Sequence, residues 1–235
     1  MKLAMWSGPR NLSTAMMYAF AARGDCAAWD EPFYAPYLAA TGADHPMAAE
    51  IIAAHESDPA RVAAACAGPV PEGRAHWYMK HMPHHMLPGF PLDWASGCVN
   101  VHLIRHPARV IASYAEKRGE MTLEDIGFAQ QLRLWRALPG PVVDSADIRR
   151  DPASALAAIC AEVGLDFTES MLHWPAGPRP FDGVWAAHWY NAVHRSTGFA
   201  GAEGPLPEVP PERQALLQAA LPLYEAMRAE ALQFA

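Results

Sequence analysis

Arg10, Ser13 and Thr14 have the types and spacing to hold an anion, in the stretch Ser7-Gly8-Pro9-Arg10-Asn11-Leu12-Ser13-Thr14. An apolar run, Ala4 to Trp6, precedes the stretch and a helix-like run follows it, so a strand hands over to a helix here. At such a junction backbone N–H groups and the positive end of the helix dipole converge on negative charge. The two hydroxyls add donors. Arg10 adds a permanent charge and a planar fork suited to phosphate or sulfate. Counted from Gly8 against the nucleotide-triphosphate pattern G-x-x-x-x-G-K-[ST], Ser13 and Thr14 stand where the second glycine and the lysine belong. The same residues also fit a plain strand-to-helix turn, with Asn11 or Ser13 as cap and Arg10 in solvent.

A second arginine and hydroxyl occur in Val101-His-Leu-Ile-Arg-His-Pro-Ala-Arg-Val-Ile-Ala-Ser-Tyr114. Arg105 ends a buried strand, Val99 to Ile104, and Pro107 suits the first position of a helix. Ser113 then lies about two turns along, on the face that carries Arg109. The pair can grip a second anion; alternatively Arg105 pairs with a nearby acid and Ser113 sits on a packed face. His76, His81, His84 and His85 raise a different chemistry, a metal cluster. Against it, the adjacent His84 and His85 diverge at a helix start, and no acid completes a ligand spacing. A phosphotransferase would use the same fold, but the loop lacks its lysine and no strand end offers an obvious magnesium carboxylate.

These residues must be positioned by alternating strands and helices, the pattern of βαβ units around a buried parallel sheet. Strands are expected at Leu3 to Trp6, Cys26 to Trp29, His76 to Met79, Val99 to Ile104 and Pro141 to Val143. Helices are expected at Leu12 to Arg23, Pro107 to Lys117, Leu123 to Leu138, Pro152 to Val163 and Pro211 to Leu232. Between Pro36 and Arg74 the pattern gives one or two short helices with loops. From Met171 to Pro210 the chain is too apolar for a linker and should wrap back over the site.

The 235 residues form one expected domain, 1–235. Their net charge of −7 argues against nucleic acid or another polyanion as partner. No run of eighteen apolar residues offers a membrane span, and a strand that starts almost at once leaves no room for a signal peptide. A cytoplasmic protein follows, with Cys26, Cys66, Cys98 and Cys160 reduced.

Ser-Gly-Pro-Arg-Asn-Leu-Ser-Thr-Ala-Met resembles the 5′-phosphosulfate loop of sulfotransferases. Leu-Ile-Arg-His-Pro-Ala-Arg-Val-Ile-Ala-Ser-Tyr resembles their 3′-phosphate motif, with the same arginine-to-serine spacing, and Asp144 to Leu165 resembles the strand, acidic loop and helix that follow. The resemblance implies a three-layer α/β/α fold like that of the P-loop kinases, 3′-phosphoadenosine 5′-phosphosulfate (PAPS) as donor, and no metal. Residues 7–14 (Ser7, Gly8, Pro9, Arg10, Asn11, Leu12, Ser13, Thr14) would cradle the 5′-phosphosulfate, and Arg105 with Ser113 the 3′-phosphate. Leu12 stands in place of the family's glycine and Ala15 in place of a tryptophan that stacks on adenine, a platform Trp185 and Trp189 would have to replace. The family's late Arg-Lys-Gly segment has an echo in His-Arg-Ser-Thr-Gly-Phe, with Arg195 and Gly198.

Sulfuryl transfer to an alcohol or amine needs a base for the acceptor's proton. Tyr78-Met-Lys-His-Met-Pro-His-His-Met-Leu-Pro resembles the family segment that carries the catalytic histidine and places His81 there. Glu31, after the second strand, competes, because some relatives use a glutamate from a similar neighbourhood. His81 is the expected choice, Arg10 stabilises the leaving phosphate, and the acceptor is a small molecule. Trp29, Phe33, Tyr34, Tyr37 and Trp94 wall its pocket or belong to the core.

Overall fold

The computed structural model describes residues 1–115 and 121–233. Five strands, β1 (Lys2–Ser7), β2 (Cys26–Asp30), β3 (His76–His81), β4 (Val99–Ile104) and β5 (Val142–Asp144), form an all-parallel sheet in the order β2-β3-β1-β4-β5. Each strand starts within a residue of the place its apolar run predicts. The sheet carries helices on both faces, because side chains alternate along buried strands and both sets are apolar. One face carries Leu3, Met5, Tyr78, Val101 and Leu103 against helix α1 (Ser13–Ala22); the other carries Ala4, Trp6, Trp77 and Met79 with Trp94. β1, with β3 on one side and β4 on the other, marks the switch point at whose carboxyl end α/β sheets bind ligands.

The helices are α2 (Tyr34–Thr41), α3 (Ala48–Ala54), α4 (Pro59–Ala67), α5 (Pro107–Ala115), α6 (Leu123–Ile126), α7 (Phe128–Ala137), α8 (Ser145–Arg150), α9 (Pro152–Val163), α10 (Ala186–Trp189), α11 (Asn191–His194) and α12 (Gln214–Arg228). Three of them, α2, α3 and α4, fill the stretch expected to hold one or two. Pro36 sits in the first turn of α2, where a missing N–H costs nothing. The single helix expected from Leu123 to Leu138 is two. Gly127, at φ 70°, ends α6 in a left-handed turn and starts α7 in a new direction. The expected end of α5 at Lys117 lies outside the described residues. His106, before Pro107, accepts the Ala108 N–H and so caps α5.

Candidate active site

At the carboxyl end of β1 and its neighbours lies a cleft of about 320 Å³. One wall is Pro9, Arg10, Asn11, Leu12, Ser13 and Thr14, joined by Arg105 and Ser113. Helices α4, α8 and α9 are capped by Asp58, Asp144 and Asp151. By contrast α1 begins at Leu12 with no side-chain cap and no acid in its first turn. Its first N–H groups are therefore left for a ligand on the cleft side. Arg10 holds a left-handed φ of 56°, unusual for a residue with a side chain, and donates Nε to Ser113 Oγ at 3.0 Å. Its carbonyl accepts from Arg105 at 2.5 Å. The two sequence motifs, nearly a hundred residues apart, are thus joined by hydrogen bonds into one basic wall.

Asn11 spans to the β4 carbonyl of Leu103 and takes the Leu12 N–H on its own oxygen. Ser7 and Gly8 are not in the wall, contrary to expectation. Ser7 Oγ donates to the Gly8 carbonyl, and the Gly8 N–H donates to Gln131 Oε1 at 3.1 Å. Gln131, on α7, also donates to the carbonyls of Trp6 and Leu103. This one buried amide ties the ends of β1 and β4 to the loop that leads from β1 into α1. Nothing in the local sequence marked it, because its partners lie 28 to 125 residues away. Gln131→Leu should lower stability by roughly 2–3 kcal/mol, the cost of leaving the Gly8 N–H buried without a partner, and so several degrees of Tm in thermal unfolding.

Across the cleft stand Glu31, Tyr34, His45, Lys80, Met82, His84 and His85. Glu31, immediately after β2, has φ 41° and is only 8% exposed. Lys80 Nζ lies 2.5 Å from Glu31 Oε1, 2.9 Å from Asp30 Oδ1 and 2.5 Å from Tyr190 Oη. Tyr190 donates to Asp30, so a buried ammonium, two carboxyl groups and a phenol form one network. Burial pushes the Glu31 carboxyl above the usual range, while the Lys80 charge pulls against that shift. Burial alone would lower Lys80, but Asp30 and Glu31 outweigh it and hold the ammonium protonated.

His81 is not brought to this cleft, which corrects its expected placement. Along β3 successive side chains take opposite faces; Lys80 is paired in register with Met5 and His81 with Trp6. Lys80 therefore faces the cleft. The His81 ring stacks on Trp6 at 4.7 Å and packs on Trp94 at 4.8 Å, 2% exposed. Burial lowers its pKa to about 3. Phe33 and Trp94 belong to the same aromatic core, while Tyr34 lines the cleft. Arg195 is exposed and outside the wall, although Ser196, Gly198 and Phe199 beside it are in it. Trp189, Tyr190 and Val193 complete this cover from the Met171 to Pro210 segment, which does wrap back over the site. Among the described residues, no group of three or more His, Cys, Asp or Glu is placed to hold a metal ion, and no helix is long and apolar enough to cross a membrane.

An uncapped helix, a loop arginine, a strand-end arginine and a hydroxyl meet at the switch point of a parallel sheet, an arrangement suited to anionic groups. Residues 1–231 match the sulfotransferase-domain family, and the chain belongs to it. It is 36% identical over 231 residues to branched-chain-amino-acid aminotransferase-like protein 1 of Arabidopsis thaliana, and 34% identical over 228 residues to protein 2 of that name. Each alignment takes in 95% of this chain, which spans about 40% of the length of those curated relatives. Mouse sulfotransferase SULT7A1, solved in complex with PAP, shares its fold with a TM-score of 0.60 at 12% identity, over 98% of this chain and 89% of the mouse one.

Proposed function

We propose that the protein transfers a sulfuryl group from PAPS to a hydroxyl or amine of a small molecule, with Glu31 as the base. The observation that carries this reading is that the Arg10–Ser113–Arg105 wall and the buried Glu31 carboxyl line one and the same cleft of about 320 Å³. The amides of Ser13 and Thr14 at the start of α1 and the Arg10 guanidinium would hold the 5′-phosphosulfate, and Arg105 with Ser113 the ribose 3′-phosphate. Adenosine 3′,5′-bisphosphate, the donor without its sulfuryl group, is the ligand such a pair of anion sites fits, and PAP is what the mouse structure holds.

The acceptor enters between Tyr34, His45, His84 and His85 and is oriented against the Glu31 carboxylate. As the acceptor oxygen or nitrogen bonds to sulfur, its proton passes to Glu31, and the bond from sulfur to the bridging oxygen breaks. The electron pair stays on the departing phosphate, where Arg10 and the α1 amides meet the growing charge. Lys80, fixed between Asp30 and Glu31, keeps the carboxylate in place. A cytoplasmic location and one domain over 1–235 fit this reading.

Turnover with PAPS should persist in EDTA, because arginines and amides here supply the charge stabilisation that a kinase draws from magnesium. Assay of acceptor sulfation with and without chelator tests this. Activity lost to EDTA and restored by a divalent ion would overturn the reading in favour of a phosphotransferase-like mechanism.

A further inference from the structure

Behind the basic wall lies a feature that donor binding alone does not require. Glu203, only 2% exposed at its side chain, receives three arginines drawn from three elements. Arg105, at the end of β4, donates to its Oε1; Arg149, on α8, lies 2.9 Å from the same oxygen; Arg109, on α5, lies 2.8 Å from Oε2. The flanking backbone is bound by the same side chains: Arg149 donates to the Gly201 carbonyl at 2.8 Å and Arg109 to that of Gly204. The segment Gly201-Ala202-Glu203-Gly204 is thereby fastened to β4, α5 and α8, a few residues after Phe199 and Ala200 reach the cleft.

Resting on the sulfotransferase reading, we propose that Glu203 is a positioning residue for the ribose-phosphate end of the donor site. It holds the Arg105 guanidinium from behind and sets the charge presented to the ligand. Arg105 lines the cleft and Glu203 does not, so the carboxylate backs the arginine without occupying the ligand's place. Arg105 commits one N–H of Nη1 to the Arg10 carbonyl and one of Nη2 to Glu203, and each of these nitrogens keeps a second N–H for a ligand. Three arginines against one carboxylate leave a surplus of two positive charges, the complement of a phosphate monoester dianion. With phosphate bound the cluster becomes neutral. Without Glu203, three like charges would crowd one partly buried region, and the Arg105 side chain would lose the partner that fixes its direction.

The test is the ratio of affinities for adenosine 3′,5′-bisphosphate and AMP, measured by calorimetry on the full chain for wild type, Glu203→Gln, Arg105→Ala and the double variant. The ratio should fall at least about fivefold in Glu203→Gln, and the same substitution in the Arg105→Ala background should change it less than about twofold, since Glu203 acts through Arg105. A ratio that rises in Glu203→Gln would overturn the proposal and make the carboxylate a competitor of the phosphate. An unchanged ratio, or equal losses in both backgrounds, would overturn it and leave Glu203 a fold-stabilising residue only. Should the Gln variant not fold, Arg149→Ala and Arg149→Lys, which act on Glu203 and do not line the cleft, must produce the same coupling to Arg105. Failure of the donor reading is separately visible, because wild type would then show no preference for the bisphosphate.

Discussion

Glu31→Gln should lower kcat by roughly 10²- to 10⁴-fold, the usual contribution of a positioned general base, while leaving affinity for the bisphosphate close to that of wild type. The substituted amide retains the volume and can still meet Lys80, but it cannot take a proton. His81→Gln should instead act on stability, because His81 is packed among Trp6, Phe33 and Trp94 and never faces the cleft. The pH profile separates the two further. Glu31 must be ionised to act, and burial raises its pKa above the ordinary carboxyl value. Activity should therefore fall as pH drops through that raised pKa, and the limb should vanish in the residual activity of Glu31→Gln. A histidine whose pKa is lowered to about 3 would place no limb there. Steady-state kinetics of both variants across pH decides the assignment; a kcat loss confined to His81 variants would reverse it.

The second large effect concerns the ligand's second phosphate. Adenosine 3′,5′-bisphosphate should raise Tm well beyond AMP at equal concentration, since only the bisphosphate engages Arg105 and Ser113. At one hundred times its Kd a ligand adds about 2.7 kcal/mol, or several degrees for a domain of this size. Arg105→Ala should remove most of that advantage, because a charge-assisted, partly desolvated contact contributes roughly 1.5–3 kcal/mol, about 10- to 150-fold in affinity. The AMP response should barely move. Equal shifts from AMP and bisphosphate in the unmodified protein would sink the donor assignment.

What could be read without coordinates followed the physical range of each signal. Strands β1 to β5 were legible as apolar runs between turn residues, and α9 was placed to the residue because Asp151 and Pro152 open it and Gly164 closes it. That the Arg10 loop and the Arg105–Ser113 pair share one site was legible only through the family resemblance; their direct hydrogen bonds were not. The placement of His81 in the cleft was misread through family register. Alternation along β3, a purely local rule, puts Lys80 and His81 on opposite faces, and the cleft lies on the lysine's side. Helix α8 was missed because six residues rich in Arg and Asp carry little periodicity; its stability comes from the Asp144 cap and from Arg228, which reaches Asp144 and Asp147 from α12. Gln131, Tyr190 and Glu203 were invisible for one reason: each acts on partners far along the chain, and no local pattern records such contacts.

The strand order carries a consequence for how such a protein can change. Arg10, Ser113 and Arg105 hang from β1 and β4, whereas Glu31, Lys80, His84 and His85 hang from β2 and β3, on the opposite side of β1. On the proposed reading, the nucleotide grip and the acceptor wall come from separate halves of one sheet, joined along a single shared strand. Under that reading, replacements at Tyr34, His45, Met82 or His84 change cleft-lining side chains without touching the Arg10, Ser113 and Arg105 contacts. A lineage built this way can exchange acceptors one side chain at a time while its donor chemistry stays fixed.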